Sequence, residues 1–185
     1  MIESEKLDEK LIYQGRVIRV NIERVRLPNN QVAELEIIHH PGGAAIVALD
    51  EQNRVCLLNQ FRHAAGGYIW ELPAGKIDNK EPHFETVKRE LVEEAGRIAS
   101  DWHYLGHVLS SPGVFTEVIH LYMATGLTTV DSQPEAHEVF RVEWKPLNEG
   151  MQMIYRGEIH DSKTICGLML ASDHLRNLTL TSSET

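Results

Sequence analysis

Residues 82–95, Pro-His-Phe-Glu-Thr-Val-Lys-Arg-Glu-Leu-Val-Glu-Glu-Ala, restrict the folding of this chain more than any other segment. Pro82 suits a first helical position and Gly96 suits a C-terminal cap, so the spacing predicts a helix over 82–95. With Glu90 as origin, Val87, Leu91, Phe84 and Ala95 fall at about 60°, 100°, 120° and 140° around that helix. They form one apolar stripe that must be buried. Glu93, Glu90 and Glu94 fall at about −60°, 0° and 40°, beside the stripe. Like charges at i,i+3 and i,i+4 destabilise a bare helix by a few tenths of a kcal/mol per pair. Arg89, four residues from both Glu85 and Glu93, offsets part of this. Glu94 also sits at the end of the helix where the dipole disfavours an anion. The arc is either a solvated acidic face or a ligand set for a hard divalent cation. Mg²⁺ and Mn²⁺ take oxygen ligands, and Mg²⁺ commonly bridges to substrate phosphates.

Around this helix the pattern is mixed. Residues 1–10 are charged and read as frayed. Residues 16–27 alternate, with Val20 and Ile22 on one parity and Val25 and Leu27 on the other, which predicts a bulge near Glu23-Arg24. Pro28-Asn29-Asn30 is a turn, and Gln31–His40 alternates again, completing an N-terminal hairpin. Pro41-Gly42-Gly43 marks a boundary. Short strands follow over Ala44–Leu49, Val55–Gln60 and Tyr68–Leu72, then strands over Trp102–Val108, Val118–Thr125 and Phe140–Trp144. Helices are expected over Leu147–Tyr155 and from Asp161, an N-cap, to about His174. The Ser/Thr-rich end after Leu178 reads as a disordered tail. The expected organisation is an N-terminal β subdomain over 1–42, a main α/β domain over 43–178 and a tail over 179–185.

Composition excludes several classes. The 185 residues carry 18 Lys+Arg against 27 Asp+Glu, a net charge of −9. That balance, without any Lys/Arg run, opposes binding to nucleic acid or anionic membrane. The longest apolar run, Gly42–Leu49, is about eight residues, against the roughly 20 that a membrane span needs. The first residues lack the basic and apolar regions of a signal peptide, and Cys56 and Cys166 form no CxxC, so a cytoplasmic protein with reduced thiols is expected. Adjacent His39 and His40 point to opposite strand faces, and His103 and His107 have no Cys or carboxylate beside them, so none is read as a metal ligand. Ser111 has no His/Asp partner at a defined spacing, which argues against a serine hydrolase.

Gly75, five residues, Glu81, seven residues, then Arg89-Glu90-Leu91-Val92-Glu93-Glu94-Ala95-Gly96 resembles the Nudix box, G-x5-E-x7-R-E-U-x-E-E-x-G-U. Only the last aliphatic position departs, being Arg97, and that position is a packing site. Gln60-Phe61-Arg62, Trp70-Glu71-Leu72-Pro73-Ala74-Gly75, Ser111-Pro112-Gly113 and Gly157–Thr164 resemble the ADP-ribose pyrophosphatase branch of that superfamily. So do Leu27–Asn30 and Ile37–Gly42. Pro112, 16 residues beyond Gly96, is the marker of that branch. Asn30 stands where glycine is common.

The resemblance implies a Nudix fold, an α/β/α sandwich around a mixed β-sheet with a small N-terminal antiparallel sheet. It implies metal held by Glu90, Glu93, Glu94 and the backbone oxygen of Ala74, with Arg89 orienting the glutamates. It implies a base on a late loop, Glu138 with Glu135 as rival, or activation of water by the metals and Glu93. Arg62 is the expected pyrophosphate contact and Glu117 a contact for the distal ribose. Trp70 and Tyr13 are candidates for stacking on the base or for packing. The N-terminal subdomain is the expected homodimer element. The implied activity is hydrolysis of ADP-ribose to AMP and ribose 5-phosphate with Mg²⁺, Mn²⁺ being able to substitute. The alternatives are a hydrolase of other or several nucleoside diphosphate sugars (GDP-, UDP- or ADP-hexoses), or a sensor without catalysis.

Overall fold

A computed structural model describes residues 4–78, 80–132 and 138–182. The chain divides into two compact units, Met1–Gly42 with Leu109–Val118, and Gly43–Val108 with Ile119–Thr185.

In the first unit, β1 (Glu5–Gln14), β2 (Arg19–Arg26) and β3 (Val32–His39) form an antiparallel sheet in that order. The β2–β3 turn closes with the Leu27 N–H donating to the Gln31 carbonyl at 2.8 Å, and Asn30 adopts φ 65°. Asparagine tolerates this left-handed conformation better than most residues, which explains its use in place of glycine. Residues 109–118 join this unit through Ile38, whose N–H donates to the Val114 carbonyl at 2.7 Å.

The second unit holds β4 (Gly43–Ala48), β5 (Arg54–Arg62), β6 (Gly67–Glu71), β7 (Ala74–Lys76), α1 (His83–Ala95), β8 (Arg97–Leu109), β9 (Val118–Thr129), β10 (Phe140–Pro146), α2 (Leu147–Tyr155) and α3 (Ser162–Ser182). The strands form two sheets, ordered β7-β4-β9-β8 and β10-β5-β6. β4 runs parallel to β9 and antiparallel to β7, so the larger sheet is mixed. Every residue of β4 is buried. Its alternation supplies two cores at once. Ala44, Ile46 and Ala48 pack with Val87, Leu91 and Ala95 of α1. Ala45, Val47 and Leu49 pack with Met153 of α2 and with Leu168 and Ala171 of α3. A strand covered on both faces has to be apolar on both. The result is an α/β/α sandwich.

α1 is fixed at both ends. Gly96 terminates it at φ 59°, ψ 43°, with its N–H on the Val92 carbonyl at 3.1 Å. Pro82 lies one residue outside the helix, at the N-cap (φ −59°, ψ 134°), and not at the first helical position that its residue type suggests. The Phe84–Val87–Leu91–Ala95 stripe faces β4, as the wheel requires.

Three expectations are corrected. Residues 5–14 form a strand, although all ten are exposed, because β1 pairs with β2 along its length. The irregularities lie in that pairing, at Lys6/Asp8 and Leu11/Tyr13, while β2–β3 is continuous through Glu23-Arg24. Helix α3 continues to Ser182, past the expected end near His174 and into the expected tail.

Candidate active site

The site grows from the end of α1. Glu90 and Glu94 are buried, at 6% and 1% exposure, and Glu93 is half-buried. Opposite them runs the Leu72–Lys76 segment. The Ala74 N–H donates to Glu94 Oε2 at 2.8 Å. Gly75 faces Glu90 so closely that a Cβ there would overlap its carboxylate.

Arg89 organises the cluster. Its Nη1 donates to Glu90 Oε1 at 2.6 Å and to Glu93 Oε2 at 2.8 Å. Its Nη2 donates to Glu81 Oε1 at 3.1 Å and to the Lys76 carbonyl at 3.3 Å. Glu81 also accepts from the buried Thr86 hydroxyl at 2.9 Å. One planar guanidinium thus fixes three carboxylates and a carbonyl of β7.

The remaining electrostatics are unbalanced. Burial pushes Glu94 up to about 9, with Glu90 and Glu138 adding to it and the Ala74 N–H and Arg62 opposing it. Burial pushes Glu90 up to about 7 despite Arg89, with Glu93 and Glu138 adding to it. Glu94 Oε1 is fully buried and has no hydrogen-bond partner among the described residues. A carboxylate oxygen left so costs roughly 1–3 kcal/mol or more unless a ligand satisfies it. An all-oxygen donor set with an orphaned carboxylate oxygen and excess negative charge fits a hard divalent cation.

Glu138 is half-buried, and its charge acts on both Glu90 and Glu94. The neighbouring Val139 carbonyl accepts from the Phe61 N–H at 2.9 Å, which ties this segment beside Arg62. Glu135 lies outside the described residues. The charge of Arg62 also acts on Glu94, so a cation faces the acidic cluster from β5.

The other residues singled out in the sequence have the following surroundings. Trp70 neighbours Glu71 on β6, so it projects from the opposite sheet face. It packs beside the Leu57–Leu72 cluster, with Lys145 Nζ 4.9 Å over its ring. Glu117 belongs to the N-terminal unit, where its Oε1 lies 3.3 Å from His40 Nδ1. Tyr13 is exposed on β1. His39 pairs with Glu23 at 2.7 Å in the same unit. With Glu9 these two place possible ligand atoms within 4.8 Å of one another. There Glu9 Oε2 already accepts from Lys6 and Asn21, at 2.9 and 2.8 Å, so these groups satisfy one another without an ion.

Sequence reasoning assigned no role to Glu71, Lys163 or Thr164, and to Asp161 only the helix cap that its bond from the Thr164 N–H bears out, although all four lie in segments that carry the family resemblance. These four form a connected polar network with Arg62. A buried acid flanked by apolar residues, Glu71 between Trp70 and Leu72, was the available signal.

An α/β/α sandwich that sets a glutamate-rich helix end against a glycine of a short strand defines a class of metal-assisted hydrolase folds. A family model, the NUDIX domain, matches residues 39–166. The chain belongs to the NUDIX family. It is 35% identical over 170 residues to the ADP-ribose pyrophosphatase of Mycobacterium tuberculosis, covering 89% of this chain and 81% of that protein. It is 34% identical over 167 residues to the methanol dehydrogenase activator of Bacillus methanolicus, covering 89% and 90%. The crystal structure of an ADP compounds hydrolase shares the fold with TM-score 0.82 at 19% identity, over 95% of this chain and 96% of that one.

Proposed function

We propose that this chain is a divalent-metal-dependent Nudix pyrophosphohydrolase that cleaves ADP-ribose to AMP and ribose 5-phosphate. The observation that carries the reading is the Glu90–Glu94 pair, buried and crowded, with Glu94 Oε1 unsatisfied. Likeness to an ADP-ribose pyrophosphatase over most of both chains supports the substrate.

Glu90, Glu93, Glu94 and the Ala74 carbonyl would hold the cation. Mg²⁺, or Mn²⁺ in its place, would when bound there neutralise diphosphate charge and lower the pKa of the attacking water. Arg89 keeps Glu90 and Glu93 in position through its two Nη1 bonds. Arg62 binds a non-bridging oxygen of the diphosphate. Glu138 takes the proton of the attacking water. The water oxygen bonds to one phosphorus as the bridging P–O bond breaks, and the two phosphates separate as AMP and ribose 5-phosphate.

The enzyme is a cytoplasmic homodimer in this reading. Both cysteines are free thiols, and no helix among the described residues is long and apolar enough to cross a membrane. β1 exposes Leu7, Leu11, Ile12 and Tyr13, an apolar surface suited to a second copy.

The test is a panel of ADP-ribose, GDP-mannose, UDP-glucose and ADP-glucose with Mg²⁺ and with Mn²⁺, products identified by chromatography. A lead of tenfold or more in kcat/KM for ADP-ribose, about 1.4 kcal/mol, with AMP as product, is the expected result. Equal turnover of several sugars replaces it with a broad nucleoside diphosphate sugar hydrolase. Glu94→Gln, expected to abolish turnover while the protein stays folded, separates both from a sensor.

A further inference from the structure

Glu71 ends β6, and its side chain is 3% exposed. Arg62 grips it with two groups, Nε at 3.1 Å from Oε1 and Nη2 at 2.8 Å from Oε2. Lys163 of α3 reaches the same Oε2 at 3.1 Å and Asp161 Oδ1 at 3.1 Å. Asp161 in turn caps α3. Its Oδ2 accepts from the Thr164 N–H at 3.0 Å and hydroxyl at 2.6 Å, and that hydroxyl oxygen accepts from the Leu72 N–H at 2.9 Å. The network therefore connects Arg62 to the first turn of α3 and to the strand end that leads into Ala74-Gly75.

Burial alone would push the Glu71 carboxyl up, but Arg62 and Lys163 hold it below the usual carboxylate range. A bidentate arginine–carboxylate pair fixes the guanidinium plane, which a single contact cannot do. The Arg62 side chain nevertheless remains 42% exposed, so it is oriented from below and open above.

We propose that Glu71 is a positioning residue that presents Arg62 to the diphosphate, with Lys163 sharing the anion so that the carboxylate cannot swing with the arginine. This rests on the reading of Arg62 as the diphosphate contact. Glu71, only 3% exposed, acts through Arg62. Its partner Lys163 also pairs with Asp161, whereas in Glu71→Gln the single amide oxygen leaves Arg62 without its bidentate grip.

The test is a double-mutant cycle on steady-state kinetics, using Glu71→Gln, Arg62→Ala and the double variant, with Glu71→Asp as the conservative change. The substrate is whichever of ADP-ribose, GDP-mannose or UDP-glucose the wild type hydrolyses fastest, because the diphosphate is common to all three. Glu71→Gln is expected to raise KM by about tenfold or more, the effect of a lost charge-assisted contact, with kcat changed by less than about threefold. The same change is expected to leave KM unaltered in the Arg62→Ala background, and Glu71→Asp is expected to recover part of the loss. An equal KM increase in both backgrounds, or none in the wild type, overturns the proposal. If Glu71→Gln melts far below the wild type, the cycle is run on Glu71→Asp, and the same two KM patterns support or overturn the proposal. A wild type that prefers another diphosphate overturns only the ADP-ribose assignment, and one that hydrolyses none overturns both.

Discussion

The carboxylate of Glu90 occupies the space that a side chain on residue 75 would need. Gly75 is thus constrained by contact, and not by a left-handed φ. Gly75→Ala must displace Glu90, and with it the Arg89 contact at 2.6 Å. Misplacing a catalytic group by about 1 Å costs on the order of 100-fold in rate. Gly75→Ala is expected to lower kcat/KM by about that factor and to weaken Mn²⁺ binding, measured by water-proton relaxation.

The metal-free protein should show an inverted pH–stability profile. Glu90 and Glu94 are pushed up to about 7 and about 9 from 4.5 by burial first. A carboxyl whose folded pKa lies above its unfolded value binds more protons in the native state between the two values. Its contribution is fully present below about 4.5 and is lost as pH rises through the folded value. In EDTA the melting temperature should fall from pH 5.5 to pH 9. Added Mg²⁺ should raise it more at the alkaline end, because the ion binds the deprotonated native state. A melting temperature that rises over this range without metal contradicts the assignment.

What was legible follows from which residues act alone. The helix over 83–95 was readable because stripe, cap and carboxylate arc all lie within one segment. The site's acidic half was therefore readable too. The bulge expected at Glu23-Arg24 is absent because apolar parity is not what orders β2. Asn21 is 2% exposed and bonds Glu9, while Glu23 bonds His39, so polar residues share a face with Val25. Such satisfaction across strands has no sequence signature. β1 escapes a local reading for a related reason. Its charges face solvent on a strand held by backbone pairing to β2, and no apolar alternation announces it. The Arg62–Glu71–Lys163 network joins three elements up to about a hundred residues apart, beyond any local pattern.

The exposed apolar residues of β1 bear on assembly. Leu11 and Ile12 are 55% and 51% exposed, next to Tyr13 at 57%. Contiguous exposure of this kind marks an interface more often than bare surface. A double change, Leu11→Asp with Ile12→Asp, is expected to convert a dimer of this 21.0 kDa chain to monomer in light scattering, with the circular dichroism of the second unit retained. A wild type that is monomeric at all concentrations contradicts the dimer.

Glu138 and Glu93 compete for the role of base, and the two make different predictions. Glu93 is held by Arg89 Nη1 at 2.8 Å, so its removal disturbs the ligand cluster as well as any proton transfer. Glu138 acts on Glu90 and Glu94 through charge. Glu138→Gln is therefore expected to lower kcat by about 10²–10⁴, the usual range for loss of a general base. KM and Mn²⁺ affinity should change by less than about threefold, because that variant removes no ligand. Glu93→Gln should lose both turnover and metal affinity. If Glu138→Gln retains kcat within about threefold across pH 6–9, the proton leaves by way of Glu93 or of the rival Glu135, and Glu138 serves only to add negative charge around the cation.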